Sequence, residues 1–421
     1  MSVIDEESSS SDGSQRQSPA TRNDVLGQNA ASPSPHKRWM SAPFIRLLAT
    51  NMAFGFSISC FYLLPKHLTV NYAATPGMVG AVMGIFGLVC VLVVPWLGRA
   101  VNRLGLARTI LLSQSLMALA ALGFAAIGGV GLPMLALRAL QGLATAGVMT
   151  AGMAMVCELA PAERLGQAMG LAGAASLIMN ALAPAIAEPV GARYGFAWVF
   201  AMSGLAAALG AFAARKLPGG TRRSEDASSS MTIPPRARPI LFAMVFTGAG
   251  FNVAMTFLAP LALQRGLGVV RGFFIAYTVS ALAIRLGGSS LTDRLGLRRT
   301  AIYGTLAYGV FIAGLAGVGT STIVPLGVGF GLAHGVLFPA TMALLFADAD
   351  PNDRAKLAGF ANGVINVGML SVLGFGQLAN HVGLPAIFAL TGVLVAFSAW
   401  LLSPAPVRAQ SDLQTLEVEA E

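Results

Sequence analysis

The chain has 421 residues, of which 55% are hydrophobic and 11% charged, with a formal net charge of +9. A soluble domain carries about 25% charged residues, and a mean hydropathy of +0.70 would force a soluble fold to expose large apolar surfaces, so the composition places the protein in a bilayer. The positive charge argues for topology and against a nucleic-acid partner, because the Lys and Arg residues sit in short loops between apolar runs.

Residues 1–43 are polar and rich in Ser, Pro, Asp and Gln, and read as a disordered cytoplasmic tail with no signal peptide. From there the apolar runs are around 20 residues each, matching a hydrocarbon core roughly 30 Å thick. The ten-residue alternation of an outer-membrane barrel is absent. Six runs, at 44–65, 77–97, 107–127, 132–157, 167–188 and 196–214, form a first half over residues 44–214. Residues 215–239 hold Arg215, Lys216, Arg222, Arg223, Arg236 and Arg238 with a serine run, and read as a cytoplasmic linker. Six further runs, at 240–262, 272–292, 299–318, 322–347, 357–379 and 385–403, form a second half over 240–403, and a cytoplasmic tail follows at 404–421. Each run must satisfy its backbone hydrogen bonds internally, which requires helices. The predicted fold is an all-α membrane protein with 12 transmembrane helices in two pseudo-symmetric six-helix bundles.

Placing the amino terminus in the cytoplasm puts 21 Lys and Arg on that side and 4 on the other, with Arg138 and Arg285 inside spans. This bias predicts both termini in the cytoplasm of a multi-pass plasma-membrane protein, a bacterial inner membrane in particular. Cys60, Cys90 and Cys157 lie in apolar runs without metal-ligand spacing and read as buried free thiols; the four histidines form no metal pair. No metal, no cofactor and no catalytic residue is expected, and nothing resembles a phosphate-binding loop.

The halves repeat one another. Asn102-Arg103-Leu104-Gly105-Leu106-Ala107-Arg108 returns as Asp293-Arg294-Leu295-Gly296-Leu297-Arg298-Arg299. Tyr62-Leu63-Leu64-Pro65 matches Phe257-Leu258-Ala259-Pro260, and Pro161-Ala162-Glu163-Arg164 matches Pro351-Asn352-Asp353-Arg354, in one register. A membrane protein of two similar halves is most simply a transporter whose halves rock around a shared site.

These motifs resemble the Major Facilitator Superfamily. Its loop signature, Gly-x-x-x-Asp-Arg-x-Gly followed by basic residues, is matched by Gly98, Asn102, Arg103, Gly105 and Arg108, with an amide in the acidic position. The later copy has Ser289 in the first glycine position and keeps Asp293, Arg294, Gly296, Arg298 and Arg299. Arg138-Ala139-Leu140-Gln141-Gly142 is similar to the family's Arg-x-x-Gln-Gly element, a resemblance that implies proton coupling at Arg138. Ala183-Pro184-Ala185-Ile186-Ala187 keeps the proline of the drug antiporters' Gly-Pro-x-x-x-Gly but neither glycine, and the chain also resembles the group called sugar or arabinose efflux permeases.

Several residues are candidates for the mechanism. Arg138, about 9 Å into span 4, is too costly to leave in lipid and should face the cavity or a partner. There it would bind an anion or act on a nearby acid; a snorkelling arginine is the plain alternative. His334, mid-span 10 and opposite Gln141 in the repeat register, can exchange protons near neutral pH or bind substrate, or be a neutral packed imidazole. Arg285, about 12 Å inside the cytoplasmic end of span 8, would add positive field. Glu188, at the outer end of span 5, is a proton entry point, a substrate contact or a wetted interfacial carboxylate. Lys66 and His67 read as interfacial anchors. Asn102, Arg103 and Arg108, with Asp293, Arg294 and Arg298, are candidate conformational latches acting on helix ends.

The expected function is secondary active transport by alternating access: proton-coupled efflux of a small organic compound, anionic or polar neutral, by a monomer in the lipid bilayer. Proton-coupled import of an organic acid is the alternative. A non-transporting receptor on the same fold would be expected to carry a large folded loop or tail.

Overall fold

The computed structural model describes residues 40–161, 164–219, 233–287, 294–347 and 354–403. Among them no strand occurs, and eleven helices are long and apolar enough to cross a membrane. The remaining expected span, span 8, is described over Arg271–Gly287, and its last expected residues lie outside the described set. Also outside it are both tails beyond residues 40 and 403, linker residues 220–232, Ser289, Asp293 and the Pro351-Asn352-Asp353 repeat.

Local chemistry sets the helix ends. Ser41 and Thr75 accept backbone N–H bonds from Phe44 and Met78, capping spans 1 and 2 with a proline in the first turn of each. Span 1 runs Ala42–Tyr72, longer than expected. A 3₁₀ turn at Phe61–Leu63 restarts the helix so that Pro65 falls in a first turn, where its missing N–H costs nothing. Span 5 likewise continues through Pro184 and Pro189 to Tyr194, which moves Glu188 from the helix end to the last two turns.

Four tight turns join spans 2 to 3, 5 to 6, 8 to 9 and 11 to 12. Each rests on one glycine, at φ 83° (Gly105), 92° (Gly195), 79° (Gly296) and 82° (Gly383), a backbone region that a side chain strains. The repeated sequence Arg-Leu-Gly is thus a repeated bend. Packing repeats as well. In the first half a Cβ on Gly142 would meet the Phe86 carbonyl at 2.5 Å, and in the second a Cβ on Gly331 would meet the Tyr277 carbonyl at 2.3 Å. Span 4 therefore lies on span 2 as span 10 lies on span 8. This structural register aligns His334 with Thr145, one turn beyond the Gln141 expected from the sequence repeat.

The two halves meet through spans 1 and 7, 2 and 7, 2 and 11, and 5 and 8. At the end opposite the Gly105 and Gly296 turns, span 2 crosses span 11 at glycines: a Cβ on Gly80 would lie 2.4 Å from the Val372 carbonyl oxygen, and one on Gly376 would lie 2.8 Å from the Pro76 carbonyl oxygen. Toward the hairpin end, a Cβ on Gly170, Gly173 or Gly363 would meet nothing within 4 Å. Among the described residues, the close glycine crossings between the halves lie at the end opposite the hairpins. Trp96, Trp198 and Trp400 are exposed on the apolar flank, as interfacial anchors are. Cys60 and Cys90 are buried, but Cys157 lies exposed on span 4, contrary to expectation.

Candidate functional site

At the closed end, a carboxylate of the first half caps a helix of the second. Glu188, 5% exposed, accepts from Val270 N through both oxygens (3.0 and 3.2 Å) and from Arg271 N at 2.8 Å. These N–H groups open span 8, where the helix dipole favours an anion. Lys66 of span 1 pairs with the same carboxylate at 2.5 Å and donates to the Gly268 carbonyl oxygen across the halves. The sequence did not reveal this clasp: it offered Lys66 as an interfacial anchor and Glu188 as a proton entry point, a substrate contact or a wetted carboxylate. The available signal was a lone acid and a lone base at the outer ends of two spans of one half.

Deeper in, two polar groups face each other from the two halves. In the first, Asn180 Oδ1 accepts from Ser59 Oγ (2.9 Å) and Tyr62 OH (3.4 Å), and the Tyr62 ring stacks on Phe274 of span 8 with centroids 5.8 Å apart at 8°. In the second, the Tyr277 hydroxyl lies 3.2 Å from His334 Nδ1 and also interacts with Asn180 and Tyr62. The imidazole lies against Phe251 (5.4 Å, 23°) and Tyr308 (5.5 Å), with Phe338 a turn away along its own helix. Tyr62, Asn180 and Tyr277 carry this junction. Tyr277 is a tyrosine well inside a span, away from the interface where that residue usually sits, which is the signal that could have singled it out.

Arg285 sits on span 8 with its guanidinium carbon 5.7 Å from the Phe338 ring centroid, within cation–π range. It is only partly buried, yet its Nε is shielded from solvent and has no hydrogen-bond partner among the described residues. It interacts electrostatically with Tyr277 and with His334.

Arg138 is differently placed. It is 2% exposed, so it neither snorkels nor faces lipid. NH1 donates to Gln141 Oε1 at 2.7 Å, Nε to the Val82 carbonyl at 3.3 Å and NH2 to Met83 Sδ at 3.5 Å. Its guanidinium lies over the Phe86 ring at 4.7 Å and the Phe61 ring at 5.8 Å. All five partners belong to spans 1, 2 and 4. Arg138 and Gln141 thus come together with each other, and His334 with Tyr277 and Arg285; the two sets sit in separate halves. The Gln141 amide nitrogen is buried without a partner among the described residues.

At the hairpins, Asn102 is half-buried and Arg103, Arg108 and Arg294 are exposed, and none of the four forms an ion pair among the described residues. Arg298 donates to the Leu402 carbonyl at 2.9 Å, closing the end of span 12 within its own half. Asp293 lies outside the described residues. Two apolar crevices of about 140 and 270 Å³, one between spans 7, 11 and 12 and one between spans 8, 9 and 10, hold none of these charges.

Two half-bundles, closed at one end by a charged clasp and carrying buried cations between their helices, define a multi-pass membrane protein of transporter architecture. The Major Facilitator Superfamily model matches residues 47–290 and 240–417. The chain belongs to that superfamily. Among solved structures it is similar to a point mutant of the nucleoside transporter NupG (TM-score 0.72, 14% identity, 86% of this chain and 100% of that one). It is likewise similar to a D-xylose-proton symporter (TM-score 0.71, 14% identity, 86% and 97%) and to the peptide transporter POT in complex with sulfate (TM-score 0.71, 13% identity, 86% and 93%). Among curated proteins it is 28% identical over 196 residues to "Probable anion transporter 2, chloroplastic" of Oryza sativa subsp. japonica, over 43% of this chain. The match spans about a third of that relative's length, 36%.

Proposed function

We propose that this protein is a secondary active transporter that exports a small organic compound, anionic or polar neutral, in exchange for protons by alternating access. The observation that carries the proposal is that the contacts joining the halves, the Glu188 clasp and the Gly80–Gly376 crossing, lie at the end opposite the hairpins. With the arginine-rich hairpins in the cytoplasm and both termini on that side, this state faces inward. The rocking bodies are residues 44–214 and 240–403, joined by the linker at 215–239, in a bacterial inner membrane and as a monomer. In the opposite state Asn102, Arg103, Arg108, Asp293, Arg294 and Arg298 latch the hairpin end. His334 and Glu188 move the proton, while Arg138 and Gln141 hold a fixed positive charge in the first half. Arg285 supplies the charge that faces cargo. The relative named as an anion transporter supports an anionic cargo. Within the superfamily, this function places the protein with the drug and sugar efflux group.

Reconstituted proteoliposomes with an imposed pH gradient test this reading. Export should follow the gradient and fall at least tenfold in His334→Ala. Uptake driven in the same direction as the protons would replace export by proton-coupled import of an organic acid. Transport indifferent to the pH gradient would remove the coupling.

A further inference from the structure

We infer that Arg285, Tyr277 and His334, with the rings of Phe251 and Phe338, form the binding site for a small aromatic monocarboxylate. The inference rests on the transporter reading above and deepens it by assigning the class of cargo. The two arginines inside the spans differ in what they have left to offer. Arg138 spends its donors on Gln141, Val82 and Met83 and is shut off from both water and cargo. Arg285 has no carboxylate partner among the described residues and keeps a shielded Nε without an acceptor. A cation at membrane depth is costly until something neutralises it, and no acidic residue stands at the centre of any span. Among the described residues nothing supplies the negative charge, which leaves that part to the ligand.

The surroundings restrict what carries that charge. Planar guanidinium matches planar carboxylate through two parallel N–H···O bonds. The Tyr277 hydroxyl and the imidazole, 3.2 Å apart, offer further hydrogen-bonding groups nearby. The other walls are aromatic: Phe338 lies under Arg285 and Phe251 lies against His334. A ring fits between such faces in offset or edge-on contact. Phosphate or sulfate, doubly charged and strongly hydrated, would need more than one cation. A sugar would need a denser set of polar groups than this aromatic wall supplies. A cationic drug would meet Arg285 with no acid to offset it.

Purified full-length protein is titrated with benzoate, salicylate and phenylacetate, and with acetate, benzyl alcohol and inorganic phosphate for comparison. At least one aromatic carboxylate should bind, at least tenfold more tightly than acetate, benzyl alcohol or phosphate. Its affinity should fall at least tenfold in Arg285→Gln and threefold or more in Phe338→Leu, with Arg285→Lys between native and Arg285→Gln. Monodispersity of each variant on size exclusion confirms folding, and should Arg285→Gln fail it, Arg285→Lys and Phe338→Leu carry the test. Absence of binding across the aromatic set, equal binding of phosphate, or unchanged affinity in the Arg285 and Phe338 variants would overturn the assignment. Counterflow of the bound compound in proteoliposomes separates the two readings. Arg285-dependent binding without counterflow keeps the site and removes transport; transport of another solute at native rate in Arg285→Gln keeps transport and removes the site.

Discussion

Substituting Gly80 by alanine isolates the closed end. Its new Cβ would stand 2.4 Å from the Val372 carbonyl oxygen and 3.0 Å from the Gly376 Cα. Carbon–oxygen contacts settle at about 3.3–3.6 Å, so spans 2 and 11 would have to separate by about 1 Å. Both obstructing atoms are backbone, and no rotamer change relieves them. Overpacking of this kind costs about 1–3 kcal/mol. Gly80 and Val372 belong to different halves, so the cost falls on the state closed at this end and vanishes when the end opens. The ratio of closed to open molecules should therefore drop by about 5–150-fold. Spin labels at Val70 and Val269, exposed at this end in opposite halves, would report the shift as a longer component in the distance distribution. Gly98→Ala, whose Cβ would meet nothing within 4 Å, is the control and should leave the distribution alone. If Gly80→Ala and Gly98→Ala gave the same distribution as native protein, the halves would not part at this crossing and the argument would fail.

Glu188→Gln removes the charge that caps span 8 and should weaken the same closed state by about 1.5–3 kcal/mol, visible with the same pair of labels; Lys66→Met should act in the same direction. Gly195→Ala or Gly383→Ala forces a side chain into φ 92° or 82° and should cost about 1–3 kcal/mol, read as a lower midpoint of thermal unfolding in detergent, while Gly98→Ala stays near native. Asn102→Asp restores an acid to the first hairpin and should favour the state closed at the hairpin end, read by alkylation of cysteines placed on either side of that end; an unchanged rate would count against the latch.

The architecture was readable in sequence because its determinants are dense and local: long apolar runs, loop charge, and a duplicated Arg-Leu-Gly bend whose glycines at 105 and 296 turn out to adopt the same positive φ. Span ends were less legible. Pro65 and Pro189, at the expected ends of spans 1 and 5, look like terminators, but a 3₁₀ restart and a continuing helix carry the chain past them. Charge inside a span identified Arg138, Arg285 and Glu188 as unusual without revealing their partners. Arg138 bonds largely to main-chain and sulfur atoms and to a residue one turn away, contacts that follow from how span 2 lies on span 4. Glu188 finds backbone N–H groups 82 and 83 residues away, which leave no trace in side-chain identity. Tyr277 was overlooked because a tyrosine in an apolar run that already holds Phe273 and Phe274 looks like packing until His334 is placed beside it.

Span 8 gathers three of these features on one stiff rod. Its first N–H groups dock in the Glu188 socket, Tyr277 lies two turns along, and Arg285 follows two turns further. A helix transmits tilt along its length without loss to intervening loops. At the binding site proposed above, a ligand that tugs the guanidinium by a fraction of an ångström would also lever the docked tip against its socket. Occupancy at Arg285 and release of the Glu188 contact would then be two readings of a single lever.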